Sequence, residues 1–234
     1  MKIFAISDLH LSINCNKPMN IFGPVWENYW EDIVADWNEK VSEEDIVLIS
    51  GDISWAMKLE EAVADLKLIG SLKGKKIIIR GNHDYWWHSI TAIRNVLPEN
   101  LFALQNDSIK IGKAVFAGTR GWAIPENPNL VSEEDKKMLN REALRLELSL
   151  KNAKDKLEEN DKFYCLIHYP PFNSRLEDSS FTEILEKYNV NKVIYGHLHG
   201  KSGRTVLEAN KNGIDYYLTS CDKVNNKLVL IDEI

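Results

Sequence analysis

The amino-acid sequence predicts an α/β protein, specifically a mixed α/β sandwich. Short apolar runs rich in Ile, Val, Tyr and Phe, bounded by polar residues or glycine, are typical of buried strands. Segments with apolar residues at helical spacing lie between many of these runs. Strands that alternate with helices indicate a largely parallel sheet with crossover helices.

Eight apolar runs are predicted to be strands: residues 3–7, 46–50, 76–80, 114–118, 163–167, 192–195, 215–219 and 227–231. Four of them are followed by a helical pattern, which is the order expected for parallel neighbours. The runs from residue 215 onward have no helical pattern between them. We therefore expect those last strands to pair antiparallel.

Four amphipathic patterns predict helices: an apolar stripe across residues 26–37, a second across 59–70, a long one from about 132 to 160, and a short one after Ser180. Ser132 and Asp135 resemble a capping box at the start of the long helix. Glu133 and Glu134 follow, where acidic residues suit the positive end of the helix dipole. These elements, together with the predicted strands, account for most of the chain.

Length and composition indicate one compact domain spanning residues 1–234. The net charge of −6 argues against a protein that lives on nucleic acid or on an anionic membrane, so neither partner is expected. The three cysteines are widely separated, which indicates reduced thiols. With no apolar run approaching the ~20 residues that span a bilayer, we expect a cytoplasmic protein; the oligomeric state is left open.

Polar residues follow five of the predicted strands directly. They are Asp8-Leu9-His10, Gly51-Asp52, Gly81-Asn82-His83-Asp84, His168 and Gly196-His197-Leu198-His199. Ligands of α/β sheets bind at the carboxyl ends of strands. One such Asp or His alone is most simply a cap, a turn residue or a hydrogen-bonded structural residue. Five strand ends that all carry such groups favour a single shared site.

The residue types at this edge point to metal chemistry. Carboxylates, imidazoles and one amide oxygen, without thiolate, favour Mn, Fe, Zn, Co or Ni over Ca or a Cys-bound structural Zn. The donors are numerous enough for two divalent ions, with Mn favoured. A central carboxylate could bridge two ions at ~3.5–4 Å, the spacing of two-metal hydrolytic centres.

The series D-x-H, G-D, G-N-H-D, H and G-H-x-H resembles the calcineurin-like metallophosphoesterase superfamily, and in particular its small prokaryotic phosphoesterases. The matching residues run from 8 to 199. The resemblance implies a four-layer α/β/β/α sandwich of two mixed β-sheets flanked by helices. It also implies a metal-dependent phosphoesterase that hydrolyses phosphate mono- or diesters by attack of a metal-bridging hydroxide at a dinuclear centre.

The resemblance also assigns residue roles. One metal would be held by Asp8, His10 and His199, the other by Asn82, His168 and His197, with Asp52 bridging them. His83 would be catalytic, either contacting the phosphoryl oxygens or protonating the leaving group. Asp84 would orient the His83 imidazole and support its charge. The substrate would be a small-molecule phosphoester.

Two alternative functions are weighed against a small-molecule phosphoesterase. Serine/threonine protein phosphatases carry G-D-x-V-D-R-G after the second strand, whereas this chain has Gly51-Asp52-Ile53-Ser54-Trp55-Ala56-Met57 and lacks that arginine. Arg80 does match the arginine of their R-G-N-H-E motif. A catalytically silent metal-binding scaffold of the same fold is the other alternative. The presence of His83 argues against it, because such scaffolds typically lack that histidine.

Several residues near these motifs are candidates for substrate binding: Arg80, Arg120, Trp55, Trp86, Trp87 and Trp122. The tryptophans could stack on a nucleobase or another flat group, or could simply wall the site and hold its loops. Arg120 could grip a phosphate bidentately or form a surface salt bridge. Trp26, Trp30 and Trp37 are expected in the core, and His88 on a helix face.

Overall fold

The computed structural model of the chain describes residues 1–127, 130–200 and 206–234. Within these residues there are eleven strands: β1 Lys2–Ala5, β2 Ile46–Ile49, β3 Lys75–Ile79, β4 Leu101–Leu104, β5 Ser108–Ile111, β6 Ala114–Thr119, β7 Lys162–Ile167, β8 Lys192–Tyr195, β9 Glu208–Lys211, β10 Ile214–Leu218 and β11 Val229–Glu233. The α-helices are α1 Tyr29–Lys40, α2 Leu59–Gly70, α3 Ile90–Arg94, α4 Glu133–Lys154 and α5 Ser180–Lys187. Two 3₁₀ turns, Met19–Phe22 and Pro24–Trp26, precede α1.

The strands form two mixed sheets. The first has the order β11-β1-β2-β3-β4, and the second β5-β6-β7-β8-β10-β9. In each sheet the interior strands run parallel, while β11, β5 and β9 are antiparallel edge strands. The carboxyl ends of β1, β2 and β3 therefore lie along one edge of the first sheet. Those of β7, β8 and β10 lie along one edge of the second.

Alternating side chains divide the core into three layers. In β2, Ile46 and Leu48 pack between the two sheets, whereas Val47 and Ile49 pack under α1 and α2. The outer face of the second sheet is covered in the same way by α4 and α5. This is a four-layer α/β/β/α sandwich, and the predicted fold class is confirmed.

The pairing of the last strands differs from the expectation in one respect. β11 pairs antiparallel with β1, as predicted. β10 instead runs parallel to β8, and its antiparallel neighbour is the short strand β9. Because β10 is parallel to β8, its carboxyl end lies at the same edge as those of β7 and β8.

Several boundaries also differ from the sequence-based expectation. The long helix ends at Lys154, six residues short of 160, and residues 157–161 form a turn before β7. Trp26 lies in a 3₁₀ turn and not in α1. His88 precedes α3 and is exposed, so it is not a helix-face residue.

A buried lysine closes the carboxyl end of α2. Lys76 is fully buried, and its Nζ donates to the carbonyl oxygens of Leu72 at 2.6 Å, Gly74 at 3.0 Å and Gly70 at 3.3 Å. Gly70 is the last residue of α2, and the final carbonyls of a helix have no partner within the helix. Leu72 and Gly74 lie in the loop that follows, so Lys76 joins the helix end to this loop. Burial lowers the pKa of Lys76 to about 8.

No helix in the described part of the chain is long and apolar enough to cross a membrane.

Candidate metal centre

Four of the predicted metal ligands have a left-handed backbone. The φ angles are 60° at Asp8, 47° at His10, 53° at Asp52 and 73° at His197. Residues other than glycine adopt this region rarely, and such strain concentrates at functional sites. These turns follow β1, β2 and β8 and direct the polar side chains inward instead of continuing the strands.

Two motif glycines leave space for the carboxylates. A Cβ on Gly81 would collide with the carboxylate and backbone of Asp52, and one on Gly196 would collide with the carboxylate of Asp8. The backbone N–H of His197 donates to both carboxylate oxygens of Asp8 at 3.1 Å. The G-N-H-D and G-H-x-H motifs therefore position Asp8 and Asp52 as well as their own histidines.

One group of converging donors consists of Asp8, His10 and His199. Nε2 of His199 lies 3.4 Å from Oδ1 of Asp8 and 3.3 Å from Nε2 of His10. Burial lowers the pKa of His10 to about 3, so its imidazole is neutral. One donor atom from each residue lies close enough together for a single cation.

A second group consists of Asp8, Asp52 and His168, whose donor atoms also lie within reach of one cation. Asn82 and His197 adjoin it: Oδ1 of Asn82 is 2.7 Å from Nε2 of His168 and 2.8 Å from Nδ1 of His197. Contacts of this kind connect all seven predicted ligands into one cluster, in which Asp8, His10, Asp52 and His168 are buried and the other three are half-buried.

The His168 contact is informative about what the cluster can bind. Nδ1 of His168 lies 2.8 Å from the carbonyl oxygen of Ser50, so it must donate its proton there. Burial lowers the pKa of His168 to about 4, which leaves the ring neutral and Nε2 unprotonated. Nε2 therefore presents a lone pair toward the amide oxygen of Asn82, which is also an acceptor. Two facing acceptors suit a shared cation.

Asp52 lies between the two groups. Its Oδ2 is 3.7 Å from Nε2 of His10 and 3.6 Å from Nε2 of His168, while its Oδ1 accepts the backbone N–H of His83 at 2.8 Å. Burial, together with the charges of Asp8 and Asp84, raises the pKa of Asp52 to about 9. A divalent cation would offset the repulsion between the Asp8 and Asp52 carboxylates and favour their ionised forms, so the donors fit divalent metal ions.

Asp222 belongs to this site and was not predicted from the sequence. Its Oδ1 accepts a hydrogen bond from Nδ1 of His199 at 2.8 Å, and its Oδ2 accepts the backbone N–H of Gly200 at 2.9 Å. This contact fixes the ring so that Nε2 faces Asp8. Burial opposes a charge on His199, but the hydrogen bonds to Asp222 and Asp8 raise its pKa to about 10.

His83 lies beside the cluster without a hydrogen bond to its ring nitrogen Nδ1 among the described residues. Its ring centroid is 4.6 Å from that of Trp55 and 5.6 Å from that of His10. The predicted support from Asp84 is not observed. Both oxygens of Asp84 are occupied by the loop itself, through the backbone N–H groups of residues 53, 54 and 81 and the indole of Trp86. Asp84 holds the loop and does not orient the His83 imidazole.

The predicted tryptophans separate into two kinds. Trp55 stacks on His10 at 4.8 Å, and it lines a cavity of about 310 Å³ beside the cluster together with Trp26, Met19 and Phe22. Trp26 belongs to the core as expected, and its buried ring also lies 5.7 Å from that of His199.

Trp86 and Trp87 do not line the mouth of the site. They are 0% and 1% exposed, and their indole N–H groups donate to Asp84 at 3.0 Å and to Gln105 at 2.6 Å. Of the two alternatives considered for them, the structure favours the one in which they hold the motif loops. No stacking surface for a ligand remains on either ring.

Arg80, Arg120 and Trp122 lie to one side of the cluster. Arg80 and Arg120 line a separate cavity. Arg120 is 3.5 Å from the buried Glu142, and its guanidinium lies 5.1 Å from the ring centroid of Trp122. Trp122 in turn packs against Tyr169, whose ring lies 4.2 Å from that of His197.

The fold of this chain is similar to those of known proteins, and its sequence matches a family model. A solved structure from Thermus thermophilus is similar in fold, with a TM-score of 0.60 and 14% sequence identity over 98% of this chain and 97% of that chain. A protein of unknown function from Aquifex aeolicus aligns over 98% of this chain and 95% of that chain, at 16% identity and a TM-score of 0.47. No curated protein matches the sequence significantly. The family model for calcineurin-like phosphoesterases matches residues 1–201, which carry every sequence motif that meets in this cluster, and the chain belongs to that family.

Proposed function

We propose that the protein is a metal-dependent phosphoesterase that hydrolyses small phosphate mono- or diesters at a two-ion centre. One observation carries this proposal. Carboxylate, imidazole and amide donors from five strand ends, drawn from both sheets, converge within reach of a shared cation. Such a cluster suits divalent ions better than any other ligand.

The contacts support a division of the ligands between two ions. Asp8, His10 and His199 would hold one ion, and Asn82, His168 and His197 the other. Asp52 would be shared, since its Oδ2 is nearly equidistant from His10 and His168. When bound, two divalent ions, Mn favoured, supply an activated water and offset the charge on a phosphoryl group.

His83 is suited to act on the substrate. It is half-buried, its ring lies against His10 and Trp55, and burial lowers the pKa of its imidazole, which favours the neutral ring. Because Asp84 does not hold it, the His83 ring is oriented by packing against these aromatic neighbours. It would contact phosphoryl oxygens or protonate the leaving group.

The cavity beside the cluster indicates the kind of leaving group. Trp26, Trp55, Met19 and Phe22 give it an apolar, aromatic wall next to His10, His83 and His199. A flat group such as a nucleobase or an aryl ring would stack there. We therefore favour a nucleotide-like small molecule over a phosphorylated protein surface.

The test is hydrolysis of a nucleotide, an aryl phosphate, a phosphodiester and a phosphopeptide by the chain with Mn, with and without a chelator. We expect chelator-sensitive hydrolysis of the small esters, restored by Mn, and severe loss of both metal binding and activity in Asp52→Asn. Full activity in metal-stripped protein would contradict the metal mechanism. Metal binding without turnover of any ester would favour the scaffold, and turnover of the phosphopeptide alone would favour a protein phosphatase.

A further inference from the structure

A second cavity, of about 290 Å³, lies at the same edge of the sandwich. We call it the arginine cavity, since it is lined by Arg80, Arg120, Arg141 and Arg145, together with Glu142 and neutral polar residues that include Asn106 and Thr119. The lining comes from the ends of β3, β4 and β6 and from one face of α4. None of the seven proposed metal ligands is among its described lining residues.

The charges in the arginine cavity are unbalanced. Four guanidinium groups face a single carboxylate, that of Glu142, which is 0% exposed. Oε1 of Glu142 is 2.6 Å from Arg145 but 3.5 Å from Arg120 and 3.9 Å from Arg141. One carboxylate oxygen therefore serves three cations, and only Arg145 makes a close hydrogen bond with it.

Two buried hydrogen-bonding atoms in the arginine cavity have no partner in the described part of the chain. Among the described residues, Nε of Arg80 and Oε2 of Glu142 are buried and form no hydrogen bond. Each guanidinium carries five N–H donors. Buried polar groups are normally satisfied, and an unsatisfied one in a native protein commonly marks a bound ion or water. Four guanidinium groups carry more donors than the one carboxylate of Glu142 can accept, so an added acceptor with negative charge would fit here.

The arginine cavity is open enough for a ligand to enter and adjoins the metal cluster through the backbone. The side chains of Arg141 and Arg145 are 53% and 42% exposed, so they form its mouth. The carbonyl oxygen of Arg120 accepts the backbone N–H of His168 at 3.0 Å, and Arg80 is two residues before Asn82. The arginine cavity therefore adjoins the chain segments that carry Asn82 and His168.

We propose that the arginine cavity binds a phosphate-type oxyanion, separate from the phosphoryl group that is hydrolysed. Guanidinium forks match the paired oxygens of such an anion, which several arginines can share. The anion is either a second phosphate group of the substrate or a free phosphate ion. Glu142 competes with it for the same donors and sets the affinity.

The primary test is calorimetric titration of inorganic phosphate into the full chain after chelation, so that the metal centre cannot hold the anion. We expect one phosphate per chain in the wild type. Arg145→Gln and Arg141→Gln, whose side chains are partly exposed, should weaken binding roughly tenfold or more, since charged hydrogen bonds are lost. Lys136→Gln removes the same charge from an exposed position on α4 and should bind within about twofold of the wild type.

Glu142→Gln should change phosphate affinity in the opposite direction to the arginine variants. Removing the competing carboxylate charge should tighten phosphate binding, which a purely structural role for Glu142 does not predict. Melting temperatures of all variants show whether the fold is kept. No phosphate binding in the chelated wild type, or equal losses in Lys136→Gln and Arg145→Gln, would overturn the proposal.

Kinetics then distinguish the two sources of the anion, and this arm rests on the proposed function. If the anion is part of the substrate, Arg145→Gln should raise KM for an ester with two phosphate groups and leave an ester with one unchanged. If it is a free ion, phosphate at its binding concentration should alter turnover of the single-phosphate ester in the wild type and not in Arg145→Gln. Because phosphate binding is measured without turnover, absence of hydrolysis would count against the proposed function alone.

Discussion

Asp222 accepts a hydrogen bond from Nδ1 of His199 at 2.8 Å and thereby turns Nε2 of that histidine toward Asp8. The carboxylate also accepts the backbone N–H of Gly200, so it fixes both the ring and the chain that follows it. Contacts of this kind set the tautomer and the basicity of a metal-binding imidazole.

We expect Asp222→Asn to weaken metal affinity by roughly 10- to 100-fold, because the His199 ring loses its orienting acceptor. Metal titration with a competing chromophoric chelator measures the change. Asp215→Asn is the matched control, since Asp215 lies on the preceding strand and bonds to Asn210 instead. Equal affinity in the wild type and Asp222→Asn would show that the contact does not act on the metal.

His83→Ala should separate catalysis from metal binding. The imidazole contacts other rings of the site but none of the donor groups through hydrogen bonds, so we expect about two metal ions per chain to remain. Turnover should fall by roughly 10²–10⁴, the range for a lost general acid or base. The fall should be smaller for esters with good leaving groups. Metal content at the level of an Asp52→Asn variant would instead identify His83 as a ligand.

Gly196→Ala tests the packing of the motif glycines. The added Cβ would collide with the carboxylate of Asp8, which two backbone N–H contacts otherwise hold in place. We expect loss of metal binding with little change in far-ultraviolet circular dichroism. Gly213→Ala, in the β9–β10 turn, is the control, because no neighbour lies within 4 Å of the added Cβ and no collision results. Gly213 has a positive φ, so any loss of stability in that variant reflects backbone strain. Normal metal content in Gly196→Ala would mean that Asp8 can move without consequence.

Lys76→Met should destabilise the fold without touching the site. The carbonyl oxygens of Gly70, the last residue of α2, and of Leu72 and Gly74 just after it lose a charged donor, which we expect to cost about 2–4 kcal/mol in the free energy of unfolding. Urea unfolding gives this value, with Lys75→Met as the comparison because Lys75 is only partly buried. A change below about 0.5 kcal/mol would show that water satisfies these carbonyls equally well.

The sequence predicts most of the sandwich because its buried strands are continuous apolar runs. Runs such as residues 46–50 and 163–167 are apolar on both faces, as strands between a helix layer and a second sheet must be. β4, β5, β9 and α3 were not predicted. Each spans only four or five residues, and β9 reads Glu-Ala-Asn-Lys with no apolar pattern at all.

Most residues of the candidate metal centre could likewise be predicted from the sequence, and one could not. The residues that directly follow β1, β2, β3, β7 and β8 could be predicted because strand ends share an edge. Asp222 could not, because β10 was expected to run antiparallel, which would have placed its carboxyl end at the opposite edge. β10 pairs parallel with β8 although the segment that connects them, residues 196–213, contains no helix among its described residues. The absence of a crossover helix was therefore a misleading signal.

Side chains from both sheets meet at this edge, so a metal ion bound there would stabilise the folded protein. Both donor groups take side chains from each sheet: Asp8, His10 and Asp52 from the first, His168 and His199 from the second. A bound ion would thus link the two sheets. A ligand that binds only the folded state adds about 2.7 kcal/mol to the free energy of unfolding when its concentration is a hundred times its Kd. The melting temperature would then rise with metal concentration, and stripped protein would open first along this edge, where proteases would cut it soonest.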